Sequence, residues 1–486
     1  MIGQTNANSS KINGVIKEYV VNTGETIAKG DFVSYINSKS VDTLNDQENI
    51  DSVDTSSRIN ACKLNNDNTK FLITYYYSSN MYAVVVDFSS GSATIGTPVL
   101  IYSGMRQFFQ PEYIEDDKVV VAYHGVSSYG YVQVWTISGT TIDTSATSYV
   151  FETLSMYYTN RIGIKRVNST KIVLGYLCDQ NKSLKACIVN ISGTILSPQT
   201  ATILSGEPSS YYNSVNYNVA MDLVLNNTVG VIVWSYYNSG GYIQGSIFGI
   251  NGNVIDNLGN VGGATGSIIH GASSSSSINK FIFDGLSIDN NNMLIVWSSP
   301  YFSGVGVNMY CAVLSFKDNF YTEFTGAYGD GYKLWQQLNN TATSLVGDNY
   351  LLFNESSISG GYFHSISVAK INNQKVALTY NGAYITTSGF KARALDVKGF
   401  NITCGDYVRN ATYNYSDQNQ YNQLLKFKNN QAISFSSCYN ASTNFLGYNI
   451  IDFDLDKAES FSENKMLLGV AKTGGNAGDT IKVYVP

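Results

Sequence analysis

Residues 161–176 read RIGIKRVNSTKIVLGY, and 184–196 follow as LKACIVNISGTIL. The first stretch is a short alternating strand, a polar turn and a β-rich strand closed by an aromatic. The second is another strand running into a Ser-Gly turn. The same rhythm returns in SVAKINNQKVALTY (367–380) and LLKFKNNQAISFSS (424–437). Its turns, Asn168-Ser169-Thr170-Lys171, Asn372-Asn373-Gln374-Lys375 and Asn429-Asn430-Gln431, suit tight hairpins, because Asn tolerates positive φ and bonds its own backbone. The aromatic that closes the second strand can be followed along the chain at Tyr75, Tyr123, Tyr176, Trp234, Trp297, Tyr380 and Phe435, with gaps of 48, 53, 58, 63, 83 and 55 residues. Seven marks at this spacing predict seven four-stranded blades of a β-propeller over 57–455.

The long gap predicts an insertion at 321–361 with its own hairpin, LVGDNYLLF (345–353) being one strand; a degenerate eighth blade is the alternative. In YGYVQVWTI (129–137), Tyr131, Gln133 and Trp135 face one way and Val132, Val134 and Thr136 the other. MYAVVVDF (81–88) is almost continuously apolar, as for a strand covered on both faces. No segment keeps a 3.6-residue period, so the expected class is all-β. Such blades cannot bury both faces alone, and a closed ring leaves no open end to cap. A β-sandwich array is the rival architecture.

Composition narrows the function. Of 486 residues, 44% are hydrophobic, enough for a packed core, but only 14% are charged against about 25% in ordinary domains. The surface is therefore neutral and hydrogen-bonding, which suits sugars or proteins. Net charge is −6 and the basic residues form no stripe, so nucleic acid is not an expected partner. No apolar run is long enough for a membrane helix, so no membrane insertion is expected. The start, MIGQTNANSSKING, does not read as a secretory signal. Cys62, Cys178, Cys187, Cys311, Cys404 and Cys438 form no C-x-x-C pair and are expected to be reduced core thiols.

No catalytic motif emerges. His124, His270 and His364 have no metal-ligand spacing and read as surface or loop histidines. A propeller glycosidase would need paired carboxylates; Asp116, Asp179, Asp222, Asp284 and Asp348 are the available acids, with few arginines beside them. Asp289-Asn290-Asn291-Asn292 lacks the later ligands of a calcium loop and reads as a turn. GNVGGATGS (259–267) lacks the lysine of a phosphate loop, and Ser277–Lys280 is an isolated S-x-x-K. No catalytic residue, metal or cofactor is expected. The 37 tyrosines stand out instead. Tyr157-Tyr158, Tyr211-Tyr212, Tyr236-Tyr237 and Tyr301-Phe302 sit among Ser, Asn and Gly, the composition of binding paratopes, and are the expected ligand-contacting residues. For each, filling space between blades is the plain structural alternative, and Tyr75 is expected in the core.

The chain ends differ from the middle. Residues 15–37 and 466–486 are strand-rich with Gly-Asp turns, and each is too short to bury a core. They are expected to pair into one small barrel (1–45 with 465–486), with the propeller inserted between them and acidic linkers at 44–54 and 452–464. GETIAKGDFV (24–33) and LLGVAKTGGNAGDTIKVYV (467–485) resemble the small β-barrel of tailed-phage capsid cement or decoration proteins and head-fibre bases. The matching residues are Gly24, Ile27, Gly30, Asp31 and Val33, then Gly469, Val470, Ala471, Ala477, Gly478, Asp479, Ile481 and Val483. Unlike those proteins, this chain separates the halves by some 400 residues. The middle also resembles, by composition, propeller modules of phage appendages. The resemblance implies a bacteriophage virion surface protein. Its anchor would use Gly30, Asp31, Phe32, Gly469, Gly478 and Asp479, its partners would be other virion proteins, and its propeller would bind a host-surface glycan or protein. A tail-borne receptor-binding protein and a polysaccharide hydrolase are the alternatives.

Overall fold

The computed structural model describes residues 15–21, 26–29, 32–36, 41–44, 48–51, 59–78, 80–103, 109–125, 128–156, 162–178, 183–206, 219–237, 241–260, 268–271, 283–298, 307–316, 332–334, 351–355, 363–372, 375–382, 390–398, 401–405, 408–409, 422–428, 430–440, 443–453, 457–460, 467–471, 475–476 and 480–485. Among these there is no α-helix. The chain divides into two compact units, residues 43–452 and the two ends.

The larger unit holds seven antiparallel sheets of one plan. Blade 1 runs Ile59–Lys63, Lys70–Tyr77, Asn80–Asp87, and its outer place is shared by Thr94–Ile95 and Val99–Ser103. Every other blade likewise splits its outer strand into two short segments that pair with the third strand. The inner strands are Ile59–Lys63, Phe109–Glu115, Gly163–Asn168, Val219–Val224, Phe283–Ser287, Phe363–Lys370 and Asn422–Lys426. Each neighbours the next, and the seventh neighbours the first. The ring is closed: the middle of the chain is a seven-bladed β-propeller. The seven marker aromatics all lie on second strands and all are buried.

The core lies between blades. Trp135 packs with Leu72, Val85 and Phe109 of the joint between blades 1 and 2, while Val132 and Val134 of the same strand pack with Ile172 and Val189 of blade 3. That is the period-2 alternation of a strand buried on both faces. The third strand of blade 1 shows the same double cover, with Ala83–Val86 fully buried. The third strands of blades 2, 3 and 4 leave through equivalent turns at Gly139, Gly193 and Gly252, with φ of +58°, +62° and +59°, where a side chain would be strained.

Several expectations change. Lys457–Ser460, expected within the linker 452–464, is a strand of the barrel formed by the chain ends, which therefore draws on residues before 465. Residues 41–51 are not the end of an anchor and the start of a linker. Val41–Leu44 and Glu48–Asp51 are the outer segments of blade 7, beside Thr443–Phe453, so both ends of the propeller's chain close the ring. Within 321–361, Tyr332–Leu334 and Leu351–Glu355 pair with Val307–Phe316 as the outer segments of blade 5 rather than as a separate hairpin. Of the expected strand 345–353, Leu351–Phe353 are strand, and 345–350 lie outside the described residues. Finally, the histidines are on strands, not loops. His124 is buried at the end of Lys118–His124, and His270 and His364 lie in Ile268–Gly271 and Phe363–Lys370.

In the smaller unit, Val15–Val21, Lys457–Ser460, Phe32–Ile36, Leu467–Ala471 and Thr480–Val485 pair in that order into a closed barrel. Its longest seam is antiparallel, from Val15 opposite Val485 to Val20 opposite Thr480. Thr26–Ile27 and Gly475–Asn476 form a separate two-stranded ribbon, and Ile27 is buried.

Candidate functional site

The inner strands carry polar side chains that reach across to the next blade. Glu112 accepts the Arg166 N–H at 3.1 Å, Asp222 the Ser287 N–H at 2.7 Å, and Asp284 the Val368 N–H at 3.0 Å. The Ser367 hydroxyl accepts the Leu424 N–H at 3.0 Å, and Asn60 donates to the Phe109 carbonyl at 3.1 Å. Inner-strand backbone groups have no strand partner on the axis side, so the first four side chains satisfy N–H donors, and Asn60 a carbonyl acceptor, that would otherwise be left open. Lys165 stands 3.4 Å from Asp222. Burial alone would lower its ammonium pKa, but Asp222, Glu112 and Asp284 raise it well above the usual value. Burial pushes the Glu112 carboxyl up, against the pull of Lys165 and the Arg166 N–H. Asp222 and Asp284, two of the acids open to a catalytic reading, thus have an oxygen engaged by the backbone of the next blade. Asp179 and Asp348 lie outside the described residues.

Where the inner strands of blades 1 to 3 turn into the second strands, there is a cleft of about 460 Å³, lined by Asn66, Tyr113, Glu115, Asp116, Arg166 and Ser169. Its floor is built on one register level. Lys63 pairs with Phe71, Tyr113 with Val119 and Arg166 with Ile172. Those partners stand four residues before the markers Tyr75, Tyr123 and Tyr176. Tyr113 is 6% exposed, and both neighbouring blades place a cation on its ring: the Lys63 Nζ lies 4.8 Å and the Arg166 Cζ 5.4 Å from the centroid. The Tyr113 hydroxyl donates to Asp116 at 2.8 Å and lies 3.2 Å from the Asn66 side-chain amide. Burial and the Asp116 bond push its pKa up to about 12, so the ring stays a neutral phenol. Burial lowers the Lys63 ammonium, opposed by Glu112. Glu115 pairs with Lys118.

The cleft is not legible in the sequence because its residues are ordinary in isolation. The usable signal was positional: a Lys, a Tyr and an Arg at the same offset in three successive repeats. Of the expected ligand-contacting residues, Tyr157, Tyr158, Tyr211, Tyr212, Tyr301 and Phe302 lie outside the described residues. Tyr236 and Tyr237 end the second strand of blade 4 rather than standing in a loop, paired with Tyr242 and Gly241. In the barrel, Phe32 pairs with Val470 and Val33 with Gly469. Gly30, Asp31, Gly478 and Asp479 lie outside the described residues.

Asp289 accepts the Asn291 N–H and the Asn292 amide, so the Asp-Asn-Asn-Asn run is a side-chain-bonded turn. Among the described residues, no group of three or more His, Cys, Asp and Glu is placed to hold a metal. Nor is any helix long and apolar enough to cross a membrane. Cys62, Cys178, Cys187 and Cys311 are buried free thiols and Cys404 is half-buried; burial pushes the Cys187 thiol up to about 12.

No protein-family model matches the chain, and no curated protein sequence does. Solved structures similar in shape include three of different kinds. The WD40 domain of Toxoplasma gondii coronin has a TM-score of 0.43 at 8% identity, covering 90% of this chain and 91% of that one. AofleA from Arthrobotrys oligospora has 0.37 at 9%, covering 96% and 98%. An α-L-arabinanase from Penicillium chrysogenum has 0.38 at 9%, covering 74% and 99%. All three scores lie under 0.5, so the fold rests on the sheet pairing given above.

Proposed function

We propose that this chain is a structural protein of a bacteriophage virion, held on the particle by its terminal barrel and presenting the propeller to the host surface. The observation that carries this reading is the pairing of the first and last strands, Val15–Val20 against Thr480–Val485, in one closed barrel. The two motifs that resemble the capsid cement barrel supply the strands Phe32–Ile36, Leu467–Ala471 and Thr480–Val485 of it. A capsid position is favoured over a tail position on the same resemblance. Many copies on a symmetric lattice turn weak single contacts into firm attachment, which suits a surface poor in charge. The role proposed is binding without turnover, and two acids of the axis, Asp222 and Asp284, are committed to strand-to-strand bonds.

The test is to label particles with an antibody to the propeller, and to repeat this with a chain lacking Thr480–Val485. Label on the head of particles carrying the full chain, and none with the truncated chain, is the expected result. Particles without label, or truncated chain still incorporated, would overturn the anchor. Degradation of host polysaccharide by the purified chain would overturn binding without turnover.

A further inference from the structure

The cleft between blades 1 and 3 has an uneven distribution of charge partners. Each of its carboxylates is engaged: Glu115 by Lys118, Asp116 by the Tyr113 hydroxyl, and the nearby Glu112 by the Arg166 N–H. Among the described residues, neither Arg166 nor Lys63 forms an ion pair; both rest on the Tyr113 ring. The cleft is therefore lined by the half-buried Arg166 guanidinium, with the Lys63 ammonium behind it on the Tyr113 ring, beside hydroxyl-bonding groups on Asn66, Ser169, Glu115 and Asp116. Arg166 bonds the Tyr113 hydroxyl and, outside any ion pair, keeps further N–H donors of the kind with which a guanidinium binds a carboxylate or phosphate. The flanking carboxylates limit what can enter. They accept bonds from sugar hydroxyls but repel a doubly charged anion. A cleft of about 460 Å³ is of the size that holds a sugar unit or two.

We infer that this cleft binds an acidic polyhydroxylated chain, one singly charged group beside free hydroxyls, with Arg166 taking the anion, Lys63 adding charge, and Asn66, Ser169 and Asp116 meeting the hydroxyls. The inference rests on the adhesion reading and names the ligand class for it. The anion can be the carboxylate of a uronic acid or the phosphodiester of a polyol-phosphate polymer. Tyr113 holds Arg166 and Lys63 in place by its ring and is a positioning residue.

Calorimetric titration of the full-length chain tests this with three probes: a hexuronic-acid tetrasaccharide, its carboxyl-reduced neutral counterpart, and a glycerol-phosphate oligomer. At least one charged probe is expected to bind, more weakly as salt rises, while the neutral one does not. Arg166→Gln should weaken binding roughly 10- to 100-fold, and Arg166→Lys, which keeps the charge and loses the fork, by less. Melting curves check that the variants fold; if Arg166→Gln melts early, the exposed Ser169→Ala and the neutral probe still decide. Which charged probe binds identifies the source of the anion. Equal binding of the neutral probe, binding undiminished in Arg166→Gln, or binding of neither charged probe overturns the inference. Particle attachment to cells, measured in parallel, separates the two readings. Attachment that survives Arg166→Gln leaves adhesion standing and removes this cleft from it, whereas absence of the chain from particles removes the adhesion role itself.

Discussion

The joint between blades 2 and 3 and the joint between blades 7 and 1 use the same clip in different settings. At the first, the marker Tyr176 donates its hydroxyl to Glu152, on the outer strand of the preceding blade, at 3.1 Å. At the second, the marker Tyr75 donates to Asp51, again on the preceding blade's outer strand, at 2.6 Å. Tyr176 lies opposite Lys185 on the third strand, and Lys185 also reaches Glu152, at 2.7 Å. Tyr75 lies opposite Tyr82 instead, stacked on it at 5.8 Å. One clip is built on a buried ion pair and the other on a single tyrosine–carboxylate bond backed by a stacked tyrosine. The routes differ as well. Blades 2 and 3 follow one another directly in the chain, whereas Asp51 and its partner strand Thr443–Phe453 stand at opposite ends of the propeller's chain. Bringing such distant segments together costs on the order of 3 kcal/mol more loop entropy than a local hairpin. In return, the last sheet edge is covered instead of standing open to other chains.

The largest expected effect follows from that closure. Deleting residues 41–51 bares the Thr443–Phe453 edge, and the propeller is expected to lose its cooperative melt and aggregate, read by calorimetry and light scattering. An unchanged melt would mean that the ring does not depend on its borrowed strand. Next is Lys185→Met, which leaves Glu152 buried without its cation; a loss of about 3–5 kcal/mol is expected in denaturant unfolding. Adding Glu152→Leu should restore most of it, because removing both charges also removes the desolvation cost. Tyr75→Phe should cost less, about 1.5–3 kcal/mol, the worth of a hydrogen bond to a charged group.

The smallest effect is a pH dependence. Burial alone would raise the Glu152 carboxyl, yet Lys185, the Leu154 N–H and Tyr176 hold it below the usual carboxylate range. Its folded pKa is below its unfolded one. Its stabilisation is therefore complete above the ordinary glutamate pKa and is lost as pH falls through the depressed value. Melting temperature against pH should drop more steeply in acid for the parent than for the Lys185→Met, Glu152→Leu double variant; equal slopes would contradict the assignment.

The ring was legible because a blade repeats its chemistry. A buried aromatic closes each second strand, and the Asn turns before it require little tertiary context. The seventh blade's outer strand was not legible, since ENID (48–51) is short and polar and has no repeat signature of its own. Its strand character comes from the open edge it covers. The loop placement of the histidines failed for a similar reason. His124 follows the marker Tyr123 and is carried into the buried strand by its register with Gly130. The axial acids were visible as residues but not as bonds, because Asp222 and Asp284 acquire their role from N–H groups of the neighbouring blade. For the cleft, Asp116 is legible singly, while Lys63, Tyr113 and Arg166 become a site only when three blades are set side by side.

The most direct test of the account is whether the two chain ends form one barrel. Lys17 and Val483 face each other in its longest seam. Directly opposed residues of an antiparallel pair lie about 4.5–5.5 Å apart at Cα, within disulfide range. The double variant Lys17→Cys, Val483→Cys, oxidised under native conditions and read by non-reducing electrophoresis and peptide mass, should give an intramolecular 17–483 cross-link at high yield, and neither single variant should give it. Free thiols at both positions, or cross-links only between separate chains, would contradict the barrel and with it the proposed anchor.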